Sequence, residues 1–182
     1  EDLCVKIKMG DAPAITELAK TSQSRADAAR SDLNERLKPL LTQVNAIHIL
    51  VDRNWPFIPD TQSALNDLKS ATGQLDERLA RRDATAVQTL LASKLQERLG
   101  AYVGSLSFHM SQVAEYFQIL ADGPPPVAPE FVDSLKSVAK ELATAYPPLQ
   151  GDPPKLSIED ANSKLTDLAV NLSRCERIIA IV

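Results

Sequence analysis

Residues 83–120, DATAVQTLLASKLQERLGAYVGSLSFHMSQVAEYFQIL, decide the fold. Their apolar residues recur every four positions at first and then alternate between three and four. Both spacings place side chains on one face of an α-helix, and the alternation typical of a strand is absent. The stripe consists of Val87, Leu91, Leu95, Leu99, Val103, Leu106, Met110, Val113, Phe117 and Leu120.

Both ends of this helix carry boundary signals. The carboxylate of Asp83 can accept a hydrogen bond from a free amide of the first turn, and residues 122–126, DGPPP, cannot continue a helix. At 1.5 Å per residue the helix would be about 57 Å long. A compact sphere of this mass would be only about 35–40 Å across. The sequence therefore predicts an elongated bundle.

Composition supports the same fold class. The 182 residues are 44% hydrophobic and 24% charged, and aromatic residues make up only 4%, so Leu, Ala, Val and Ile must fill the core. We predict an all-α protein: one domain, residues 1–182, folded as an antiparallel bundle of four to five helices around a central helix at 83–120. The chain starts at Glu and stops within an apolar run, so we expect it to be a piece of a longer protein.

The flanking segments predict three further passes, at residues 12–53, at 60–82, and a fourth made by the last two helices together. The proline-rich loop between those two could instead reverse the chain. Pro39 should kink or break the first helix. Asp60 or Thr61 should cap the second, although one continuous helix over 60–120 is the alternative. Residues 55–58, with Trp55, Phe57 and Ile58, should close one end of the bundle.

Several classes of function lack a signal in this chain. The net charge of −4 disfavours nucleic acid as a partner, since phosphate binding needs clustered Lys and Arg. No apolar run of membrane-spanning length occurs, so we predict no membrane insertion within these residues. There is no glycine-rich loop, and His48 and His109 have no metal-binding spacing. We therefore predict no enzymatic activity, no metal and no cofactor.

The candidate site is a second stripe on the central helix. Tyr102, His109 and Tyr116 are spaced by seven residues and flank the apolar stripe. Such residues often pack their rings on the core and keep their polar tips in water. Alternatively, they form a surface for a partner helix or a small ligand, and the tyrosines then matter for binding more than for stability. Gly100 and Gly104, four residues apart, could admit a close neighbouring helix.

The two cysteines, Cys4 and Cys175, leave two readings open. They are either separate thiols, which we favour and which suits a cytoplasmic location, or a disulfide, which implies an oxidising compartment. The four-pass arrangement would bring them close together. If the last two helices reverse, the two cysteines separate.

Two functional hypotheses follow. The first is a non-enzymatic scaffold module that binds protein partners, including further copies of itself, through helix faces. The second is an extracytoplasmic ligand-sensing bundle of a membrane receptor, for which only the architecture argues.

Overall fold

A computed structural model describes residues 12–53, 58–123, 127–147 and 151–181. Within these ranges the protein is all-α and has no strand, which confirms the predicted fold class. The helices are α1 (Ala12–Asp52), α2 (Gln62–Ala80), α3 (Ala84–Leu90), α4 (Gln96–Asp122), α5 (Pro129–Ala145) and α6 (Ile158–Ile181). A 3-10 turn, Pro59–Thr61, precedes α2, and a π-helical turn, Leu91–Leu95, joins α3 to α4.

Together α3, the π turn and α4 form one central helix, residues 84–122. Its four-residue apolar spacing explains the π turn. On an ordinary helix of 3.6 residues per turn, a spacing of four drifts by about 40° at each step. The wider π turn, with its i→i+5 bonds, takes up this excess. As a result Val87, Leu91, Leu95 and Leu99 all face the core, and none is more than 7% exposed.

A tight turn separates α2 from the central helix. The Arg82 amide donates to the Leu79 carbonyl at 2.9 Å and the Asp83 amide to the Arg78 carbonyl at 3.0 Å, the pattern of a Schellman motif. The Asp83 carboxylate then accepts from the Ala86 amide at 3.0 Å, which confirms the predicted N-cap. The alternative of one helix over 60–120 is therefore wrong.

The first layer of the bundle contains α2, the first half of the central helix and the C-terminal half of α1. Within it, His48 of α1 pairs with Asp76 of α2 at 2.9 Å, and Asp67 of α2 with Arg98 at 2.9 Å. At the start of α2, neither predicted cap accepts a hydrogen bond from the helix. The Thr61 hydroxyl instead donates to the Ile58 carbonyl at 2.9 Å, because the 3-10 turn already begins at Pro59.

The second layer contains α4, α5 and α6. Lys136 of α5 pairs with Asp122 at 3.1 Å, while Tyr146 lies beside Phe108, so α5 is antiparallel to α4. Arg174 of α6 pairs with Glu141 at 2.7 Å, and Asn171 bonds Tyr146 at 2.9 Å, so α6 is antiparallel to α5 in turn. The predicted fourth pass is therefore wrong, because the last two helices reverse direction.

A loop returns the chain from α5 to the start of α4. Within this loop, residues 154–156 lie against the central helix. The Leu156 amide donates to the Gln96 carbonyl at 3.1 Å, and Lys155 pairs with Glu97 at 2.8 Å. A Cβ on Gly100 would lie 1.9 Å from the Pro154 carbonyl oxygen. The close neighbour that Gly100 admits is thus this loop, which we call the return loop.

The first half of α1 projects beyond the bundle. Between residues 12 and 36 no side chain is buried, and Leu37 begins the packed half. Pro39 lies inside the continuous helix, so the break considered near Lys38 does not occur. Since α2 ends a few residues after its contact with His48, residues 12–36 extend past it by about 36 Å. We call this segment the α1 overhang.

Some expectations fall on residues outside the described ranges. Trp55 and Phe57 are among these, while Ile58, the third residue of that predicted plug, is buried. Cys4 also lies outside the described part of the chain.

Candidate functional site

The structure divides the predicted stripe between core and surface. Tyr102 is 1% exposed, His109 is half-buried and Tyr116 is 51% exposed. Burial raises the pKa of the Tyr102 hydroxyl to about 12. Tyr102 therefore lies in the core, apart from the exposed Tyr116, and binding of a partner or ligand by the stripe stays a prediction.

The pitch of the helix explains this division. Seven residues at 100° each fall about 20° short of two turns, so a seven-residue stripe rotates around the helix as it advances. At Tyr102 the stripe still points between neighbouring helices. Two heptads later, at Tyr116, it has turned towards solvent. Of the predicted residues, the structure leaves Tyr116 open and His109 partly so.

Two further apolar side chains lie on the open side of α4. Phe108 is 50% exposed and Ile119 is 61% exposed. At 100° per residue, Phe108, Tyr116 and Ile119 fall within an arc of about 80°. We call these three residues the outer α4 face. The sequence analysis missed Phe108 and Ile119 because it followed the core stripe, although their positions opposite that stripe were visible in the spacing.

A groove of about 770 Å³ runs beside this face, between α4 and α5. Phe108 and Tyr146 lie at one end, and Lys136 at the other. Its floor is lined by small residues, including Ala139 and Ala143. We call this the α4–α5 groove. It is open along its length, so an elongated group could lie in it.

Charged groups edge the groove on both sides. Lys136 and Lys140 lie on α5, and Glu115 lies on α4. Hydrogen bonds from Gln118 and Lys136 hold the pKa of the Asp122 carboxyl below its usual value. Asp122 thus stays ionised and neutralises Lys136, which leaves Lys140 and Glu115 as the groove's unpaired charges among the described residues.

Tyr146 fixes the end of the groove. Its hydroxyl accepts a hydrogen bond from the Asn171 side-chain amide at 2.9 Å, which links α5 to α6. Burial is the largest influence on this phenol and raises its pKa. The Tyr146 side chain is therefore fixed in the groove wall by this hydrogen bond, whereas Tyr116 is exposed.

Other chemically capable groups do not converge on this site. Within the described ranges no three His, Cys, Asp or Glu side chains are arranged to hold a metal ion. His48 bonds Asp76 on the far layer of the bundle. In the described part of the chain, no helix is long and apolar enough to cross a membrane.

Cys175 is the described one of the two cysteines, for which separate thiols are favoured over a disulfide. Its thiol is free and buried, and burial raises its pKa. A buried thiol with a raised pKa is a poor nucleophile. Cys175 therefore belongs to the packing of α6. Its relation to Cys4 stays untested, because Cys4 lies outside the described residues.

Comparison with protein-family models, with curated proteins and with solved structures finds no match to this chain.

Proposed function

We propose that the protein is a non-enzymatic interaction module that binds a protein partner through the outer α4 face. One observation carries this proposal: three large apolar side chains, Phe108, Tyr116 and Ile119, are each at least half exposed on one side of one helix. Aromatic side chains are enriched at protein interfaces, and a few of them supply most of the binding energy.

The neighbouring groove favours a helix as the docking element. It follows α4 and α5, and its alanine floor lets a backbone come close. A helix laid in such a groove contributes apolar residues every three or four positions. The unpaired Lys140 and Glu115 on its opposite edges would then set the direction of the bound helix through charge pairing.

Site-specific photocrosslinking in native extract tests the proposal. A photoreactive phenylalanine analogue replaces Tyr116 in one variant and Phe108 in another. We expect both variants to yield the same discrete adduct, and Ile119→Asp in the same chain to abolish it. Sedimentation of the purified protein shows in parallel whether the partner is a second copy.

The matched control places the same analogue at Lys69, an exposed position on α2 in the other layer. Lys69 should give no adduct of that mass. Equal labelling at Lys69, Phe108 and Tyr116, or no adduct at any position, would contradict docking at the outer α4 face.

The groove volume favours one alternative, the extracytoplasmic ligand-sensing bundle of a membrane receptor. About 770 Å³ lies within the usual range of small-molecule sites. Ala143→Trp separates the two proposals, because it fills the groove and leaves Tyr116 and Ile119 exposed. A small ligand that raises the melting temperature of the original protein, but not of Ala143→Trp, would support the sensor. A discrete protein adduct at Tyr116 whose yield falls in Ala143→Trp would instead support docking of a partner helix over the outer α4 face and the groove.

A further inference from the structure

A second groove, of about 690 Å³, lies between α5 and α6 at the far side of the second layer. Three arginines line it: Arg53 from the end of α1, and Arg174 and Arg177 from α6. None of its lining residues is a carboxylate. Glu141 outside the groove pairs with Arg174, so the positive charge of the lining comes from Arg53 and Arg177, in a chain whose net charge is −4.

Apolar side chains stand on both sides of the α6 arginines. Val170 and Ile181 are each 65% exposed, and both line the same groove. The order Val170, Arg174, Arg177, Ile181 steps by four, three and four, so the four residues share one face of α6. Eleven residues of helix place the two apolar ends about 16 Å apart.

The arginines differ in what already engages them. Arg174 pairs with Glu141 of α5 at 2.7 Å, and Arg53 donates to the Thr166 hydroxyl at 3.3 Å. Arg177 has no hydrogen bond or ion pair to any described residue. Its guanidinium carries five donors in a planar fork that matches a carboxylate. Arg177 is therefore the group that an acidic partner would engage first.

From this arrangement we infer that the α5–α6 groove binds an acidic amphipathic helix of a protein partner. That helix carries a carboxylate at its centre, opposite Arg177, the arginine that no described residue pairs. On either side of this carboxylate it carries apolar residues about eleven positions apart, which cover Val170 and Ile181. Charge complementarity selects this occupant, since exposed apolar groups alone would accept many partners. The inference goes beyond the proposed function, because it concerns a different groove and needs no residue of the outer α4 face.

Small side chains make room for a helix there. Ser134 of α5 and Ala169 and Ser173 of α6 line the groove between the apolar ends. Without long side chains at these positions, a bound helix can approach α5 and α6 closely enough for its carboxylate to reach the Arg177 guanidinium. The positive and apolar surface would also attract an anionic membrane, so the test separates the two.

Two synthetic helical peptides serve as probes. Both carry leucines eleven positions apart. One has glutamates between them on the same face, and the other has lysines at those positions. We expect fluorescence anisotropy to show saturable binding of the Leu/Glu peptide. The Leu/Lys peptide should bind at least about tenfold more weakly. Added salt should weaken binding of the Leu/Glu peptide by a similar factor.

Charge reversal at Arg177 provides the decisive readout. Arg177→Glu should weaken binding of the Leu/Glu peptide by about tenfold and restore binding of the Leu/Lys peptide. Arg30→Glu is the matched control, because Arg30 is exposed on the α1 overhang and undergoes the same change of charge. It should leave both affinities unchanged. Circular dichroism of both variants checks that the helices are retained.

Three results would overturn the inference. The first is equal binding of the two peptides, and the second is binding insensitive to Arg177→Glu. The third is the absence of saturable binding of the Leu/Glu peptide. Sedimentation of the protein with vesicles of phosphatidylcholine and phosphatidylserine is measured alongside, in the original protein and in Arg177→Glu. If that sedimentation occurs and is lost in Arg177→Glu, it assigns the groove to a lipid surface. All three results are independent of crosslinking at Tyr116, so this inference and the proposed function can fail separately.

Discussion

Arg82 holds a left-handed backbone conformation, with φ of +54°, at the turn between α2 and the central helix. A side chain in this region costs about 1 kcal/mol relative to glycine, because its Cβ approaches the following carbonyl oxygen. Arg82→Gly should therefore raise the free energy of unfolding by about 0.5–1 kcal/mol. Urea denaturation measures this difference.

The neighbouring arginine gives the matched control. Arg81 lies in the right-handed helical region, with φ of −82°. In this region glycine relieves no strain. Its larger conformational entropy in the unfolded chain only lowers the stability of the folded state. Arg81→Gly should therefore lower stability, and equal effects of the two substitutions would contradict the strain assigned to Arg82.

The two tyrosines of the seven-residue stripe should respond differently to truncation. Tyr102 is 1% exposed and Leu106 is 2% exposed, so either alanine substitution leaves a cavity. We expect each to cost about 3–5 kcal/mol in chemical denaturation. Tyr116→Ala should stay within about 0.5 kcal/mol of the original protein, since Tyr116 is 51% exposed. A large loss at Tyr116 would assign it to the core.

Tyr102 also predicts a loss of stability in alkali. Its folded pKa of about 12 exceeds that of an exposed tyrosine, 10.0, because burial disfavours the phenolate. The unfolded chain therefore loses this proton first. The contribution of the neutral phenol is complete below pH 10 and disappears between pH 10 and about 12. Tyr102→Phe should flatten the stability profile over this interval, whereas Tyr116→Phe should not.

At the scale of elements, the contact between the return loop and α4 depends on Gly100. The added Cβ of Gly100→Ala would lie 1.9 Å from the Pro154 carbonyl oxygen, which is backbone, so the loop must move. Its hydrogen bond from Leu156 to Gln96 would then weaken or break. We expect a loss of about 1–3 kcal/mol in the free energy of unfolding.

Gly73 is the matched control for Gly100. It lies in the middle of α2, and an added Cβ would meet nothing within 4 Å. Gly73→Ala should therefore stabilise the protein by about 0.5–1 kcal/mol, the usual gain in helix propensity. The opposite signs of the two glycine substitutions test the close approach at Gly100.

Local spacing predicted the helices well, because burial on one face imposes its period on the sequence. The cap at Asp83 and the end of the central helix at Asp122 were readable for the same local reasons. The direction of α6 could not be predicted from local spacing, because it depends on where the return loop binds. That contact joins Pro154 to Gly100, which is far away in the sequence.

The candidate site was predictable only in part. Tyr116 was found because aromatic residues beside a core stripe stand out in a sequence. Burial of Tyr102 depends on a rotation of about 20° per heptad and on helices that the pattern alone does not locate. The arginines of the α5–α6 groove come from the end of α1 and from α6, so no single segment of sequence contains this groove.

At the scale of the whole molecule, the two layers and the α1 overhang should differ in their protection from hydrogen exchange. Within the described part of the chain, residues 12–36 bury no side chain, and helices with little tertiary packing are marginally stable. Their amides should exchange about a hundredfold faster, or more, than those around Leu99 and Met110. Mass spectrometry after exchange in deuterium oxide measures this. Equal protection would mean that another surface covers the overhang.

The α1 overhang has a consequence for how far apart residues 12 and 181 lie. Leu40 of α1 and Ile158 of α6 border the same depression. From this level, residues 40 back to 12 run towards one end of the molecule, and residues 158 to 181 run towards the other. Residues 12 and 181 are thus separated by a distance on the order of 80 Å. A connection between residues 12 and 181 would need about 25 fully extended residues to span this distance. Two groups attached at these positions would therefore be kept apart for as long as the α1 overhang stays helical.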